Sequence, residues 1–321
     1  MDRIKFIKKP RLKEPYLVVA WPGMGEVAIK AATYLVDKLK AEEFAQIPSQ
    51  EFFYLMESYV QDGIINLPEW PSNKFYFYKS KGGARDIILF ISDAQPDLAR
   101  AEDYCDLILE VARQYNVRRI ISFAAMPQAI DHNQPPNVWF TATTPQIKKE
   151  LSKQNLQVLG DGHISGLNGL FLGMAKRAGL NGFCLLGEIP LYTIQIENPK
   201  ASYAVLEALA RIIGITVDFS DLLEQSRALE GQINNMLEYL KVGPSLGPIG
   251  EEEIDKIRKS LSQLTKLPLS IKEKIEQLFT QAKTDLSKAN ELKTELDKWN
   301  VYKDYEDRFL DLFKKKKESN N

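Results

Sequence analysis

The sequence predicts an α/β fold in three layers, α/β/α, with a mostly parallel or mixed central sheet and a C-terminal helical extension. Two observations carry this expectation. Over roughly the first 215 residues, short continuous apolar runs alternate with segments of helical spacing, as in strands buried on both faces between packed helices. Beyond a Gly- and Pro-rich stretch at 241–250, strand-like runs cease and apolar residues recur every three or four positions.

Residues 16–21 (YLVVAW) form the first strand candidate. Pro22-Gly23-Met24-Gly25 breaks it, and a helix is expected over 27–39. Two more strands fall at 75–78 and 87–91, joined by the turn signal Gly82-Gly83. Pro96 then precedes a helix through Tyr115, with Leu98, Ala101, Cys105, Ile108, Val111 and Ala112 as its apolar positions. Strands follow at 120–124, 138–143 and 183–186. Thr144-Pro145 and Asn198-Pro199 each open a helix: a side-chain oxygen caps exposed amides, and proline follows where no donor is needed. Residues 222–240 read as a long amphipathic helix. The domain division expected is 1–240 for the α/β domain, 241–250 for the linker and 251–321 for the extension. In the extension, Ile271, Ile275, Leu278, Ala282, Leu286, Ala289, Leu292, Leu296 and Trp299 make one stripe, repeated by Tyr302, Tyr305, Phe309 and Phe313 on a second segment.

With 44% hydrophobic residues in 321, the chain can build a sizeable core. Its 42 basic and 43 acidic residues leave a net charge of -1, so no global field draws it to nucleic acid or an anionic membrane. The lysine run 314–317 reads as a solvated helix end. Cys105 and Cys184 stand in apolar company, as buried reduced thiols do. No run of 18 apolar residues occurs, and residues 1–9 lack the apolar stretch of a signal peptide, so the expected compartment is the cytoplasm.

Three constellations are candidates for chemistry. Gly23-Met24-Gly25-Glu26-Val27-Ala28 fits G-x-G-x-x-A between a strand and a helix, where amides can meet a phosphate. Glu26, however, sets a carboxylate at the positive helix end, which favours a tight structural turn over a nucleotide site. Gly160-Asp161-Gly162-His163-Ile164-Ser165-Gly166-Leu167-Asn168-Gly169 precedes an apolar helix that Ser165 or Asn168 is placed to cap. Asp161, His163 and Ser165 have the residue types of a nucleophile with its base, but no G-x-S-x-G elbow accompanies them, so a structural turn is the preferred reading. Asp93, at a strand end where open sheets place ligand groups, is read as the cap of the helix after Pro96. With two histidines, His132 (in a polar turn) and His163, and no C-x-x-C or H-E-x-x-H, no metal site and no cofactor is expected. No catalytic residue is assigned; the candidate ligand-binding set is Gly23, Gly25, Glu26, Asp93, Ser165, Gly166, Asn168 and Gly169.

Trp21-Pro22-Gly23-Met24-Gly25-Glu26-Val27-Ala28, Ile164-Ser165-Gly166-Leu167-Asn168-Gly169-Leu170 and Pro199-Lys200-Ala201-Ser202, in this order, resemble the proteasome assembly chaperone 2 family of archaea and bacteria. The resemblance covers about 14–240 and implies a fold similar to nucleoside phosphorylases and hydrolases, together with homo-oligomer formation. Eukaryotic relatives of that family help assemble proteasome α-subunit rings. Some archaeal ones bind proteasomes through a hydrophobic–tyrosine–any C-terminus; the last four residues here, Glu318-Ser319-Asn320-Asn321, depart from that pattern. The expected function is a non-enzymatic protein-binding scaffold whose partners are further copies of itself and another protein complex, with the helical extension mediating assembly. The alternative is a nucleoside- or phosphate-binding protein, or a hydrolase- or phosphorylase-like enzyme, using the glycine-rich turns.

Overall fold

The structure, a computed structural model, describes residues 3–55, 57–80, 85–242, 269–299 and 301–314. In chain order the strands are β1 (Lys5–Phe6), β2 (Tyr16–Ala20), β3 (Glu42–Gln46), β4 (Tyr59–Gln61), β5 (Ile64–Asn66), β6 (Asn73–Tyr78), β7 (Ile87–Ser92), β8 (Arg119–Gln128), β9 (Val138–Ala142), β10 (Gln157–Val158) and β11 (Gly182–Pro190). The helices are α1 (Val27–Leu39), α2 (Ala101–Gln114), α3 (Pro145–Leu151), α4 (Leu167–Arg177), α5 (Pro199–Ile213), α6 (Ser220–Val242), α7 (Leu269–Thr284), α8 (Lys288–Lys298) and α9 (Tyr302–Lys314).

Nine strands form one mixed sheet in the order β1-β3-β6-β7-β2-β8-β11-β9-β10, and helices flank it. β2 lies at its centre, parallel to both β7 and β8, whereas β6 and β3 continue outward antiparallel. The continuous apolar runs are explained by burial on two faces. Leu17, Val19 and Trp21 alternate onto one face, where Ile88 and Phe90 join them in a core with Tyr104, Cys105 and Ile108 of α2 and Phe171 and Ala175 of α4. Val18 and Ala20, also fully buried, point to the other face, where α1 packs against α5 and β7. Between β8 and β11 the backbones approach closely: a Cβ on Gly182 would lie 2.1 Å from the Ile120 carbonyl oxygen, so only glycine fits.

Both anticipated helix caps form. Thr144 Oγ1 accepts from the Ile147 amide at 3.3 Å, and Asn198 Oδ1 accepts from the Ala201 amide at 2.9 Å. The cap assigned to Asp93 is corrected. Asp97 Oδ1 takes the Ala99 amide at 2.7 Å, opening a 3-10 turn (Leu98–Arg100) before α2, while Asp93 Oδ2 accepts from the Ser72 amide at 3.1 Å. Asp93 is spent on the β6 approach because the chain still crosses Ala94, Gln95 and Pro96 before helical geometry begins. Strands β1, β3 and β10 and the β4–β5 hairpin arise without periodic signals, the hairpin forming a separate two-stranded sheet. The Gly82-Gly83 turn lies outside the described residues, as does the linker from 243 onward; Lys241 and Val242 still belong to α6.

The chain divides into two compact units, 1–126 with 135–188 and 196–226, and 127–134 with 189–195 and 227–321. In the second, the stripe expected over 271–299 is divided between two helices, α7 and α8, packed on each other. Asp285 Oδ1 accepts the Ser287 amide at 2.9 Å and closes the turn between them. Ile275, Leu278, Ala282, Ala289, Leu292 and Leu296 are buried. Arg308 of α9 donates to Glu276 of α7 from its two terminal guanidinium nitrogens, at 2.7 and 2.8 Å, and lies over the Phe279 ring at 4.4 Å.

Candidate functional site

Sequence segments far apart converge at the C-terminal end of β2, the end at which open α/β sheets place their ligands. The chain leaves β2 at Trp21, passes Gly23 in extended conformation, and turns through two successive left-handed residues, Gly25 (φ 60°) and Glu26 (φ 50°), into α1. Glycine tolerates this region at no steric cost and glutamate does not, so surrounding contacts must hold the turn.

Those contacts are hydrogen bonds from three other segments. The Asn168 carboxamide clamps Trp21: Oδ1 accepts from its amide at 3.0 Å and Nδ2 donates to its carbonyl at 2.9 Å. Gln95 does the same work between loops, its Nε2 donating to the Pro22 carbonyl at 2.7 Å and its Oε1 accepting from the Leu167 amide at 3.1 Å. From α5, the Asn198 amide donates to the Gly25 carbonyl at 2.7 Å, and Ser202 Oγ donates to the Val27 carbonyl at 3.3 Å. Glycine marks where side chains must be absent. Gly166 (φ 67°, ψ −176°) starts α4 in a conformation reserved for glycine, and a Cβ on Gly169 would sit 2.3 Å from the Ile164 carbonyl oxygen.

The expectation that Ser165 or Asn168 caps α4 is therefore corrected. Gly166 occupies the N-cap without a side-chain bond, Ser165 is exposed, and Asn168 is buried against Trp21 because its amide satisfies two strand-end groups at once. Of the candidate ligand-binding set, Gly23, Gly25, Glu26, Gly166, Asn168 and Gly169 lie on these locked loops; a Cβ on Gly23 would lie 3.4 Å from the Asn168 amide nitrogen. Asp93 sits on the β6 approach instead. Asp161, His163 and Ser165 are exposed, with no hydrogen bond joining them among the described residues. Gln95 escaped sequence reasoning, since an exposed glutamine in a loop carries no pattern.

The electrostatics disfavour an anion at this turn. Burial, and then the nearby Glu197 charge, pushes the Glu26 carboxyl above its ordinary range; Glu197 itself pairs with Lys30. The buried thiols are inert, Cys105 and Cys184 being pushed to about 12 by burial. Among the described residues no three His, Cys, Asp or Glu side chains gather as a metal-ligand set. His132 lies in the expected polar turn and is buried there: Nδ1 lies 2.8 Å from the Tyr192 hydroxyl and Nε2 2.9 Å from Asn234 Oδ1. No helix among the described residues is long and apolar enough to cross a membrane.

Fold and loops together define a mixed-sheet α/β protein whose strand-end turns are tied to one another by their own side chains. The PAC2 family model matches residues 17–237, more than half of the chain, and the chain belongs to that family. An uncharacterized protein of Methanocaldococcus jannaschii is 25% identical over 234 residues, covering 71% of this chain and 85% of that protein. Among solved structures, Pyrococcus furiosus PbaB, described as an archaeal proteasome activator, is 26% identical with a TM-score of 0.62, covering 73% of this chain and 97% of PbaB. Pyrococcus furiosus PbaA, described as an archaeal homologue of proteasome-assembly chaperone, is 25% identical with a TM-score of 0.56, covering 73% and 96%. A Mycobacterium tuberculosis proteasome-assembly chaperone homologue, at 22% identity and TM-score 0.59, shares the fold over 68% of this chain and 94% of its own.

Proposed function

We propose that this protein is a non-enzymatic, chaperone-like scaffold of the cytoplasm that self-associates and binds another protein complex. One observation carries the reading: Asn168, Gln95, Asn198 and Ser202 bind Trp21 and the Pro22, Gly25 and Val27 carbonyls, and Gln95 also takes the Leu167 amide, which makes the glycine turns joints between chain segments. The relatives add support. PbaB is described as an archaeal proteasome activator and PbaA as an archaeal homologue of proteasome-assembly chaperone. On this reading the set Gly23, Gly25, Glu26, Ser165, Gly166, Asn168 and Gly169 is structural, and Asp93 stabilises a strand end.

A thermal-shift series with nucleosides, nucleotides and phosphate tests it, alongside light scattering of the full chain. A specific ligand at 100 times its dissociation constant adds about 2.7 kcal/mol of stability. No shift with any of these compounds, together with a mass above that of one chain, is the expected outcome. A saturable shift that Asn168→Ala abolishes would overturn it in favour of a ligand site.

A further inference from the structure

We propose that the β4–β5 hairpin is a docking arm that packs on the basic N-terminal edge of a second copy of this chain, in a two-fold exchange. The inference rests on the self-association proposed above and adds the surface that performs it.

The hairpin is well specified locally. Asp62 and Gly63, both at positive φ (52° and 78°), form the two-residue turn that matches strand twist, and Val60 pairs with Ile65 across it. Yet among the described residues it joins no other strand, and an isolated two-stranded ribbon is marginal in water. A ribbon facing solvent is expected to be polar on at least one side. Here Val60 and Ile65 hold one face, 65% and 72% exposed, while Tyr59 and Ile64 hold the other, 49% and 64% exposed. Apolar groups on both faces need cover on both.

Charge selects the occupant. Residues 54–70 contain Glu57, Asp62 and Glu69 and no lysine or arginine. Residues 3–13, which include the outermost strand β1, contain Arg3, Lys5, Lys8, Lys9, Arg11 and Lys13 and no acidic residue. Lys5, Lys9, Arg11 and Lys13 are exposed and make no ion pair among the described residues, and Ile7 between them is 57% exposed. The two patches start side by side, since Arg3 pairs with Glu51 at 3.2 Å and lies over the Phe52 ring, just before the arm. A two-fold axis that brings the arm of one copy to the edge of its partner returns the partner's arm to the first edge, the self-complementarity an isologous dimer requires. Arm against arm would oppose like charges.

The test uses the full chain, light scattering and cross-linking. Val60→Ser with Ile65→Ser, and separately Lys9→Glu with Arg11→Glu, change exposed side chains and are checked for unaltered thermal unfolding. Each pair should halve the mass of a wild-type dimer, and raised salt should weaken the dimer by screening. A bismaleimide should join an Ile65→Cys copy to a differently tagged Ile7→Cys copy; the native thiols are buried. A wild-type monomer at all concentrations would overturn self-association and this inference together. A wild-type oligomer whose mass neither pair changes, or cross-links only between two Ile65→Cys copies, would overturn the arm-to-edge contact and leave self-association standing.

Discussion

Asn168 ties the end of β2 to the start of α4, positions 147 residues apart in sequence, with one carboxamide. Replacing it by alanine leaves a buried amide and carbonyl of Trp21 unpaired, and each orphaned group costs roughly 1–3 kcal/mol. Asn168→Ala should therefore lower the urea midpoint at unchanged m-value. Gly169→Ala should do so as well, because the new Cβ collides with the Ile164 carbonyl rather than with a flexible side chain. The glycines of these loops were visible in the sequence, but their reason was not. A glycine signals that something approaches, and only the folded chain says that Asn168 and Ile164 backbone are what approach Gly23 and Gly169.

At the scale of elements, the N-terminal segment is fastened to α2 by Arg3, which donates from two nitrogens to Asp103 at 2.9 and 2.7 Å. Arg3, with Arg100 second, holds the Asp103 carboxyl down to about 2. A carboxyl depressed on folding contributes stability that is complete above its unfolded value near 3.8 and is lost as pH falls through about 2. The pair is 38% and 42% exposed, so solvent screening reduces it to the range of surface ion pairs. Arg3→Ala should cost roughly 0.2–1 kcal/mol at pH 6 and less at pH 2, where the Asp103 carboxyl is partly protonated, read from denaturation curves at both. Caps at Thr144 and Asn198 were legible because the stop-and-start chemistry of a helix is local. Asp93 misled for the same reason: it has the right side chain near a helix, and geometry gave the cap to Asp97, four residues on.

For the whole molecule, division into two compact units predicts unfolding that is not a single two-state step. Leu292, fully buried in α8, loses roughly 2–5 kcal/mol of packing on substitution by alanine. Calorimetry of Leu292→Ala should show one transition lowered and the other in place; both falling together would mean that the units melt as one. The buried apolar residues of α7 and α8 find partners within their own unit, whereas the hairpin arm leaves apolar side chains exposed on both faces.

Most strands and helices of the sheet unit, two of their caps and membership of the PAC2 family were determined by the sequence, because apolar periodicity, capping and short motifs act over a few neighbouring residues. Tertiary structure decided which loops lock together, that Gln95 is one of the ties, that the long stripe folds back as two helices, and that Tyr59–Asn66 stands out as an exposed ribbon. Each of these depends on where distant segments cross, and on which apolar surface the rest of the chain leaves uncovered. Local residue patterns hold no record of either.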